Sequence, residues 1–511
     1  MGPEISFVLA LIPIVSLLVA LGAFGAPAHW VTPLVLILTA ALAFFFFSMP
    51  LENLFGALLE GSLFALWPIM IVIVAAIYTY KLAESTGALK TIQTMLSGIT
   101  NDKRIQVLIL AWGFGGFLES VAGYGTAVAI PASILAVLGF NPLFAAVISL
   151  IANTVPTAFG AVGIPVSTLA SLVHLDPSTL STAVALQLTP FIILVPFVLV
   201  MLTGGGFKAV KGVFWITLAS GVSFAIPQLL AAAFLGPELP ALLGSITSML
   251  TTIFLAGLMK KTSQNPQETQ IQGVQPKKRM MFKAWLPYIL IFIFILLASK
   301  LVDPIHHFLG QFQSSFVLYP GGSPTSFKWI ATPGVLIILA AIIGALIQGA
   351  KPLTLVKTFG TTLVTLRHSF LTVISILALA KIMDYSGMIS SLAQVLVSIT
   401  GPLYPLFSPF MGALGTFVTG SDTSSNILFG KLQTTVAQGT GISPYWLAAA
   451  NTAGATAGKM ISPQSIAVAT AATKLTGKEG KILSQTLIFC LSYVLLLGLL
   501  VFLLAPLMVA Q

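Results

Sequence analysis

Polar residues interrupt this chain at a few places within long apolar runs, and their types suit the binding of a small anion. The first block runs from Gly113 to Thr126 and combines dense glycine with one carboxylate. Glycine at this density unwinds or sharply turns a helix, and backbone groups exposed in hydrocarbon must line a polar cavity or be buried in protein. The members of this block predicted to contact an anion or carry a proton are Glu119, Ser120, Gly123, Tyr124 and Gly125.

Glu119 is the residue on which the chemistry of this block depends. An ionised carboxylate at the centre of a membrane costs about 2.5–3.5 kcal/mol. Two interpretations are open: a proton-titrating or substrate-pathway carboxylate, or a glutamate at the membrane surface or in a structural pair. We take the first as the hypothesis to be tested.

A second block lies three hundred residues further on, at 419–426, where seven of eight residues have polar side chains. Free N–H groups and partial positive charge at the starts of half-helices here would suit a carboxylate. The alternative is a capped turn in an outer loop, which the same residue types favour. The predicted contact residues are Ser421, Asp422, Thr423, Ser424 and Asn426.

Two Asn-Thr pairs and one lysine complete the predicted site. The pairs are Asn153-Thr154 and Asn451-Thr452, each within an apolar segment that also contains Gly and Pro. One such pair is ordinary hydrogen bonding between helices, but two symmetric copies indicate a site. Lys459 is a cation inside an apolar span, where it could pair with an anionic substrate or Asp422, or extend to the inner face.

The composition restricts the class of protein. Of 511 residues, 57% are apolar and 7% are charged, against roughly 25% charged in soluble domains, which excludes a soluble enzyme, a nucleic-acid-binding protein and a disordered chain. The net charge of +10 is assigned to membrane loops and predicts no nucleic-acid partner. One cysteine forms no internal disulfide. Without a phosphate-binding loop or a His/Cys cluster, we expect no cofactor, no metal and no enzymatic activity, and energy from an ion gradient.

Hydropathy predicts an all-α polytopic membrane protein of about twelve transmembrane helices. Two further apolar stretches, near 105–138 and 405–438, are broken by Gly, Ser, Thr and Pro and are predicted to be re-entrant hairpins. The predicted spans are 5–24, 30–49, 61–80, 142–163, 186–204, 212–235, 237–258, 285–301, 331–349, 366–382, 445–463 and 485–508.

The positions of the cations predict the orientation. With the N-terminus outside, inner loops receive eighteen of the 23 Lys and Arg residues, as the positive-inside rule requires. Both chain ends are then predicted to lie outside the cell membrane. The polar segment 259–284 is predicted to be a cytoplasmic linker between two transmembrane halves, 1–258 and 285–511.

The chain resembles itself at an offset of about three hundred residues. Gly115-x-Phe117 matches Gly415-x-Phe417, and Ala152-Asn-Thr matches Ala450-Asn-Thr; Gly160, Pro165 and Ser167 match Gly458, Pro463 and Ser465. The repeats are placed at about 61–204 and 366–508. The segment 81–104 carries four basic residues and its counterpart 381–404 carries one, which predicts opposite membrane orientations, an arrangement typical of secondary transporters.

These blocks resemble the bacterial L-lactate permease family. The residues that carry the resemblance are Gly115 through Thr126, Gly139 to Pro142, Ala152 to Thr154, Ala158 to Pro165, Gly420 to Gly430 and Gly458 to Ala467. The resemblance implies an inner-membrane permease that takes up lactate with a proton and often accepts glycolate. Tyr124 departs from the phenylalanine expected there, which puts the detailed selectivity in doubt.

The function expected from the sequence is therefore proton symport of L-lactate, with D-lactate, glycolate and related 2-hydroxy monocarboxylates as further substrates and the lipid bilayer as surroundings. The alternative is a sodium-coupled or exchange transporter of another small organic acid. A passive channel and a membrane-embedded enzyme are the remaining classes; the second would need catalytic or metal-binding groups that the spans do not supply. The oligomeric state, the type of domain motion and the proton stoichiometry are left open.

Overall fold

A computed structural model describes residues 2–24, 26–123, 125–262, 277–298, 302–320, 322, 324–475 and 478–508. Tyr124 and most of the predicted linker, 263–276, lie outside the described residues. The described chain is helical apart from one two-stranded antiparallel sheet, in which Gln313–Phe316 pairs with Thr325–Lys328.

The first part of the chain forms eleven helices within the described residues, several of them extended or interrupted by irregular turns. The π-helical turns are Leu18–Ala23, Ala65–Met70 and Leu108–Phe114, and a 3-10 turn is Val155–Phe159. The helices are α1 (Pro3–Leu17), α2 (Ala28–Phe45), α3 (Leu51–Phe64), α4 (Ile71–Ser85), α5 (Ala88–Ser97), α6 (Lys103–Val107), α7 (Gly115–Val121), α8 (Thr126–Val137), α9 (Pro142–Ala152), α10 (Gly160–Val173) and α11 (Pro177–Gly204).

Two connecting helices and a second series follow. Further 3-10 turns are Phe207–Val210, Gly401–Leu403 and Ala505–Leu507, and the strands are β1 (Gln313–Phe316) and β2 (Thr325–Lys328). The helices are α12 (Phe214–Phe234), α13 (Pro240–Thr262), α14 (Lys278–Ala298), α15 (Asp303–Gly310), α16 (Pro333–Gln348), α17 (Pro352–Tyr385), α18 (Met388–Thr400), α19 (Tyr404–Thr419), α20 (Asp422–Thr440), α21 (Pro444–Lys459), α22 (Pro463–Thr473) and α23 (Glu479–Leu504).

Twelve helical segments of the described chain are long and apolar enough to cross a membrane. Nine of them coincide with predicted spans. The other three predicted spans, 142–163, 331–349 and 445–463, fall on shorter helices, because the first is broken in two after Asn153 and the others extend for only sixteen residues each. Their places in the twelve are taken by Lys103–Val121, Val155–Val173 and Met388–Thr419.

Both stretches predicted to be hairpins reverse direction. α8 returns against α7 and the π-helical turn before it, and α20 returns against α19. The first reversal uses Gly125 in the left-handed region, with φ of +85°, and the second uses Gly420 with φ of +71°, a conformation that glycine adopts without steric cost. Ser421 then caps α20, because its hydroxyl accepts a hydrogen bond from the Ser424 N–H (3.3 Å).

Equivalent helices occur in the same order in two parts of the described chain, within α1–α11 and within α14–α23. A two-fold relation between the copies exchanges α8 with α20 and α10 with α22, and the packing obeys it: α10 contacts α20, and α22 contacts α8. Likewise α1 contacts α18 while α14 contacts α5, and α11 contacts α21 while α23 contacts α9. Such reciprocal contacts are the pattern that a two-fold axis produces.

The two hairpins approach the centre from opposite ends of α11, a helix of 28 residues and thus about 42 Å long. At the base of the first hairpin, Arg104 donates from Nη1 to the Ala209 carbonyl (2.7 Å), just beyond the C-terminal end of α11. Just after the second hairpin, the Tyr445 hydroxyl accepts a hydrogen bond from the Asp176 N–H (3.2 Å), just before α11 begins. The hairpin tips therefore meet in the interior.

Candidate functional site

A small cavity of about 70 Å³ lies where the two hairpin tips and the two broken helices meet. A site for one water needs about 10–15 Å³ by the same measure, so the cavity has room for several waters or one very small organic molecule. It is called the small cavity below. Its lining residues are Glu119, Gly123, Gly125, Thr157, Gly160, Ala161, Ile164, Pro165, Gly420, Ser421, Asp422, Thr423, Lys459, Gln464, Ser465 and Val468.

Four helices begin at the small cavity: α8 after Gly125, α20 at Asp422, α22 just before Gln464, and α10, whose regular turns begin at Ile164 after the left-handed residues Ala161–Gly163. In pairs they are the equivalent helices of the two repeats. Because a helix begins with unpaired N–H groups and carries partial positive charge there, the four starts together favour an anion. Each repeat contributes one hairpin start and one broken-helix start.

Three charged side chains line the small cavity: Glu119, Asp422 and Lys459. Glu119 and Asp422 are each only 2% exposed. Neither oxygen of Asp422, nor Oε2 of Glu119, has a hydrogen-bond partner within the described part of the chain. Lys459 acts electrostatically on both carboxyls, although no ion pair within 4.0 Å joins it to either among the described residues. The acids thus keep hydrogen-bonding capacity for a ligand or a proton.

Gly160 has no side chain and so leaves the space that the Glu119 carboxyl occupies. A Cβ atom at position 160 would lie 2.6 Å from Glu119 Oε1, far inside van der Waals contact. Asn153 also lies beside this carboxyl group, and the Asn153 Oδ1 has no hydrogen-bond partner among described residues. The break between α9 and α10 therefore accommodates the acid of the first hairpin.

The predicted residues Asn426, Asn451 and Thr452 form a hydrogen-bonded layer behind the small cavity. The Asn426 Oδ1 accepts from Asn451 Nδ2 (2.9 Å) and from the Thr452 hydroxyl (3.1 Å). Asn426 Nδ2 donates to the Pro165 carbonyl (3.0 Å), and Pro165 itself lines the small cavity. This layer joins the second hairpin to both broken helices.

Other predicted residues face their own helices. The Ser120 hydroxyl donates to the Phe117 carbonyl (2.7 Å), and the Thr154 hydroxyl donates to the Leu150 carbonyl (3.3 Å). Ser424 enters the cap of α20 through its backbone N–H. The structure thus brings together Glu119, Gly123, Gly125, Ser421, Asp422, Thr423 and Lys459 in one lining, with Asn153 beside it, while Tyr124 lies outside the described residues.

Sequence reasoning did not include several lining residues, chiefly Thr157, Ala161, Gln464 and Ser465. The Gln464 side chain packs against Gly420, and the Ser462 hydroxyl that caps α22 donates to the Ser465 hydroxyl (2.8 Å). A signal existed for Ser465, because the repeat aligns it with Ser167. For Thr157 and Gln464 the sequence offered no signal, since only the broken-helix geometry turns them inward.

A larger chamber of about 470 Å³ lies toward the end of the molecule at which α11 begins. It is called the large chamber below. Its charged and titratable lining residues are Glu238, His306 and Lys328. Glu238 lies in the loop between α12 and α13, and burial raises its pKa to about 7, although Lys328 acts in the opposite direction.

No group of three or more His, Cys, Asp or Glu residues that could hold a metal occurs among the residues with described structure. The charges at the small cavity are instead an acid from each hairpin and one ammonium, a set suited to protons and organic anions.

Comparison with known proteins identifies the family. The chain is 46% identical to an L-lactate permease from Streptococcus iniae over 86% of its length and 93% of that protein. It is 36% identical to the glycolate permease GlcA of Escherichia coli strain K12, over 97% of this chain and 95% of that protein. Among solved structures, the YdaH transporter of Alcanivorax borkumensis superimposes with a TM-score of 0.52 at 17% identity, covering 93% of this chain and 98% of that one, which shows a shared fold.

The L-lactate permease family model matches residues 6–508, nearly the whole chain, which confirms the resemblance carried by the glycine-rich and Asn-Thr blocks. With the twelve apolar helices, the match also shows that this is a multi-pass membrane protein of the permease type. The chain belongs to the L-lactate permease family.

Proposed function

We propose that this protein takes up L-lactate, D-lactate, glycolate and related 2-hydroxy monocarboxylates together with a proton, at the small cavity. One observation carries the proposal: four helix starts, one ammonium and two carboxyls converge on a space of about 70 Å³, where Oε2 of Glu119 and both oxygens of Asp422 have no hydrogen-bond partner among the described residues. Two relatives described above are, by their names, permeases for L-lactate and for glycolate, and both acids are small enough for that space.

The substrate carboxylate would bind at the helix starts and Lys459. Charge-assisted hydrogen bonds from N–H and ammonium donors are about twice as strong as neutral ones, and the helix starts supply these donors without further ordering. The hydroxyl group on the adjacent carbon would bind polar side chains of the lining. The available side chains are Thr157, Ser421, Thr423, Gln464 and Ser465.

Charge balance requires a proton to accompany the anion. With Glu119 and Asp422 ionised and Lys459 protonated, the small cavity carries one net negative charge. A bound monocarboxylate would raise this to two negative charges in a buried site, where unpaired charge is strongly unfavourable. One proton on Glu119 or Asp422 restores the balance, so anion binding and proton binding favour each other. Glu119 is the proposed carrier, with Asp422 as its partner.

The orientation is also part of the proposal. If the basic loops near Lys208 and Lys211 face the cytoplasm, as the charge rule requires, the large chamber opens to the outside. Both chain ends then lie outside the inner membrane of a bacterium.

The test is uptake of labelled lactate by purified protein in vesicles with an imposed pH gradient. Wild-type protein is expected to accumulate lactate when the outside is acidic, and an uncoupler should abolish the accumulation. Glu119→Gln should lose gradient-driven accumulation while retaining exchange of labelled for unlabelled lactate, because exchange needs no net proton movement. Asp384→Asn, which removes an acid that pairs with Lys431 (3.5 Å) away from the small cavity, is the matched control.

The outcomes are distinct. Accumulation that an uncoupler does not affect would contradict proton symport, and accumulation that requires sodium would favour the sodium-coupled alternative. Full coupled uptake by Glu119→Gln would remove that residue from the proton path. Unimpaired Asp384→Asn shows that the effect is specific to the site.

A further inference from the structure

We propose that the large chamber is the access path to the small cavity, and that the Ile164 side chain is the barrier between them. The identity of the substrate that would travel along this path rests on the proposed function. The path itself rests on geometry alone.

The large chamber runs from an exposed rim to a buried floor. Ser171, Ser326 and Lys328 at its rim are exposed. Val162 and Ile164 at its floor are 4% and 5% exposed. A molecule entering at the rim would therefore reach the first turn of α10.

One face of α10 connects rim and floor. Ile164, Ser167, Thr168 and Ser171 all line the large chamber, and their spacing of three, four and seven residues places them on one side of a helix. Beyond Ile164 this face is formed by hydroxyl side chains only. Hydroxyl groups both donate and accept hydrogen bonds, so they can replace the water around a small hydroxy acid as it moves inward.

The wall between the two spaces is a single chain segment. Ala161 lines the small cavity, Val162 lines the large chamber, and Ile164 lines both. The barrier between the two spaces is therefore thinnest at the Ile164 side chain, which borders both of them. Among the residues that the structure describes, Ile164 alone belongs to both linings.

This wall segment has an uncommon backbone. Ala161, Val162 and Gly163 have φ values of +44°, +58° and +75°, and left-handed conformation is a genuine outlier for a β-branched residue. Residues other than glycine keep this conformation only where their surroundings hold them in it. Gly163 packs directly against the Pro237 carbonyl, where a Cβ atom would not fit. The segment is thus fixed from the α12–α13 loop, beside Glu238, and a shift of that loop would move Ile164.

The two spaces differ in what they can select. The large chamber is within the range of about 300–1,000 Å³ typical of sites for much larger ligands, and it contains both a cation and an acid. Size selection therefore falls to the small cavity. The large chamber admits ligands of many sizes, and the Ile164 side chain separates it from the small cavity.

Cysteine accessibility tests the proposal, since the chain has a single cysteine, the buried Cys490. In a Cys490→Ser background, Ser167→Cys places a thiol in the large chamber, Ile164→Cys places one at the barrier, and Val468→Cys places one in the small cavity only. A membrane-impermeant, charged thiol reagent is added to one side of sealed vesicles at a time. Phe207→Cys, 86% exposed at the opposite end of α11, reports which side is which.

From the side to which the large chamber opens, Ser167→Cys is expected to react about tenfold or more faster than Val468→Cys, because the Ile164 side chain lies between the reagent and the small cavity. It should react from the side opposite to Phe207→Cys. Its modification should block lactate uptake, whereas modification of Phe207→Cys should not. Lactate or glycolate should slow the reaction of Ile164→Cys, since a bound acid lies behind it.

Equal reaction rates at Ser167→Cys and Val468→Cys from the side to which the large chamber opens would overturn the barrier at Ile164. Reaction of Ser167→Cys from the Phe207→Cys side would overturn the proposed path. Modification of Ser167→Cys without loss of uptake would overturn its use by the substrate. These rates are measured without substrate. A protein that transports no lactate but shows the expected rates would therefore contradict the proposed function and leave the access path standing.

Discussion

The two repeats supply the same helix starts to the small cavity but different charges. Repeat 1 provides one acid, Glu119, and the residue at the matching offset in repeat 2 is the neutral Thr419. Repeat 2 provides an acid of its own, Asp422, which begins α20 where Thr126 begins α8. The helix starts at the small cavity are therefore symmetric between the repeats, whereas the charged side chains are not.

The single cation makes the difference plainest. The repeat aligns Gly160 with Gly458, so the counterpart of Lys459 is Ala161. At that position repeat 2 places an ammonium, whereas repeat 1 places the left-handed wall between the two spaces. One broken helix therefore binds charge and the other controls access, which shows how duplicated elements can take separate tasks.

The largest effect is expected for Lys459→Met. Removing the one cation leaves two acids in the small cavity, and losing one partner of a buried charge interaction costs about 2–5 kcal/mol. We expect kcat/KM for lactate uptake to fall about a hundredfold or more, as 1.4 kcal/mol corresponds to tenfold. Lys431→Met, which removes a half-buried lysine of the same repeat, is the control. Retention of kcat/KM within threefold by Lys459→Met would contradict its role.

The matched glycines should respond differently to alanine. At Gly458 a Cβ atom would meet the backbone of Ala413, whereas at Gly160 it would meet the carboxyl end of Glu119. A backbone neighbour cannot move aside, and overpacking costs about 1–3 kcal/mol. Gly458→Ala should therefore lower the Tm of the purified protein. Gly160→Ala should keep its Tm and lose proton-coupled uptake; the reverse result would refute the assigned neighbours.

The two asparagines should separate stability from transport. Asn451 donates to Asn426 and accepts from Gln433 Nε2 (3.2 Å), so Asn451→Ala leaves buried groups unsatisfied at about 1–3 kcal/mol. Asn153 Nδ2 donates to the Thr157 hydroxyl over 3.4 Å and Asn153 lies beside the Glu119 carboxyl, while its Oδ1 has no partner among described residues. Thermal unfolding should show the larger loss for Asn451→Ala, and uptake assays the larger specific loss for Asn153→Ala. Equal Tm losses would contradict this contrast.

The smallest effect concerns the bases of the hairpins. Asp102 Oδ2 forms an ion pair with Arg104 Nη2 at 2.7 Å. Burial raises the pKa of Asp102, but the hydrogen bonds and the charge of Arg104 outweigh burial and hold this pKa below its usual value. Because the pKa of Asp102 is lower in the folded protein, the ionised carboxylate stabilises the fold at pH values above the unfolded-state pKa of about 3.9. That stabilisation is lost as the pH falls through the folded-state pKa.

Asp102→Asn should therefore lower the free energy of unfolding by less than about 1 kcal/mol near neutral pH, because the Asp102–Arg104 pair is partly exposed. The difference from wild type should shrink in acid. The equivalent base of the second hairpin has Tyr404, whose hydroxyl donates to Gln433 Oε1 (3.1 Å), so Tyr404→Phe should show no such pH dependence. A difference that stays constant from pH 7 down to about pH 3 would contradict the assignment.

Hydropathy and glycine content predicted nine spans and both reversals, because apolar length and left-handed turns are local properties of the chain. They gave 142–163 as one span, whereas α9 ends at Ala152 and a 3-10 turn precedes α10. The space that this break leaves for Glu119 at Gly160 joins residues that are distant in the sequence. The residue types of Asn426 and Asn451 indicated hydrogen bonding, but their mutual contact joins elements that are distant in sequence. Thr157 and Gln464 were missed for the same reason.

The uneven charges have a consequence for how such a protein can arise. Two identical chains related by a dyad must present every ionisable group in duplicate, so a lone ammonium between two acids is unattainable for a homodimer of this module. Joining both copies into one polypeptide removes that restriction. Covalent fusion of the copies is what permits a pocket with an odd number of charged groups.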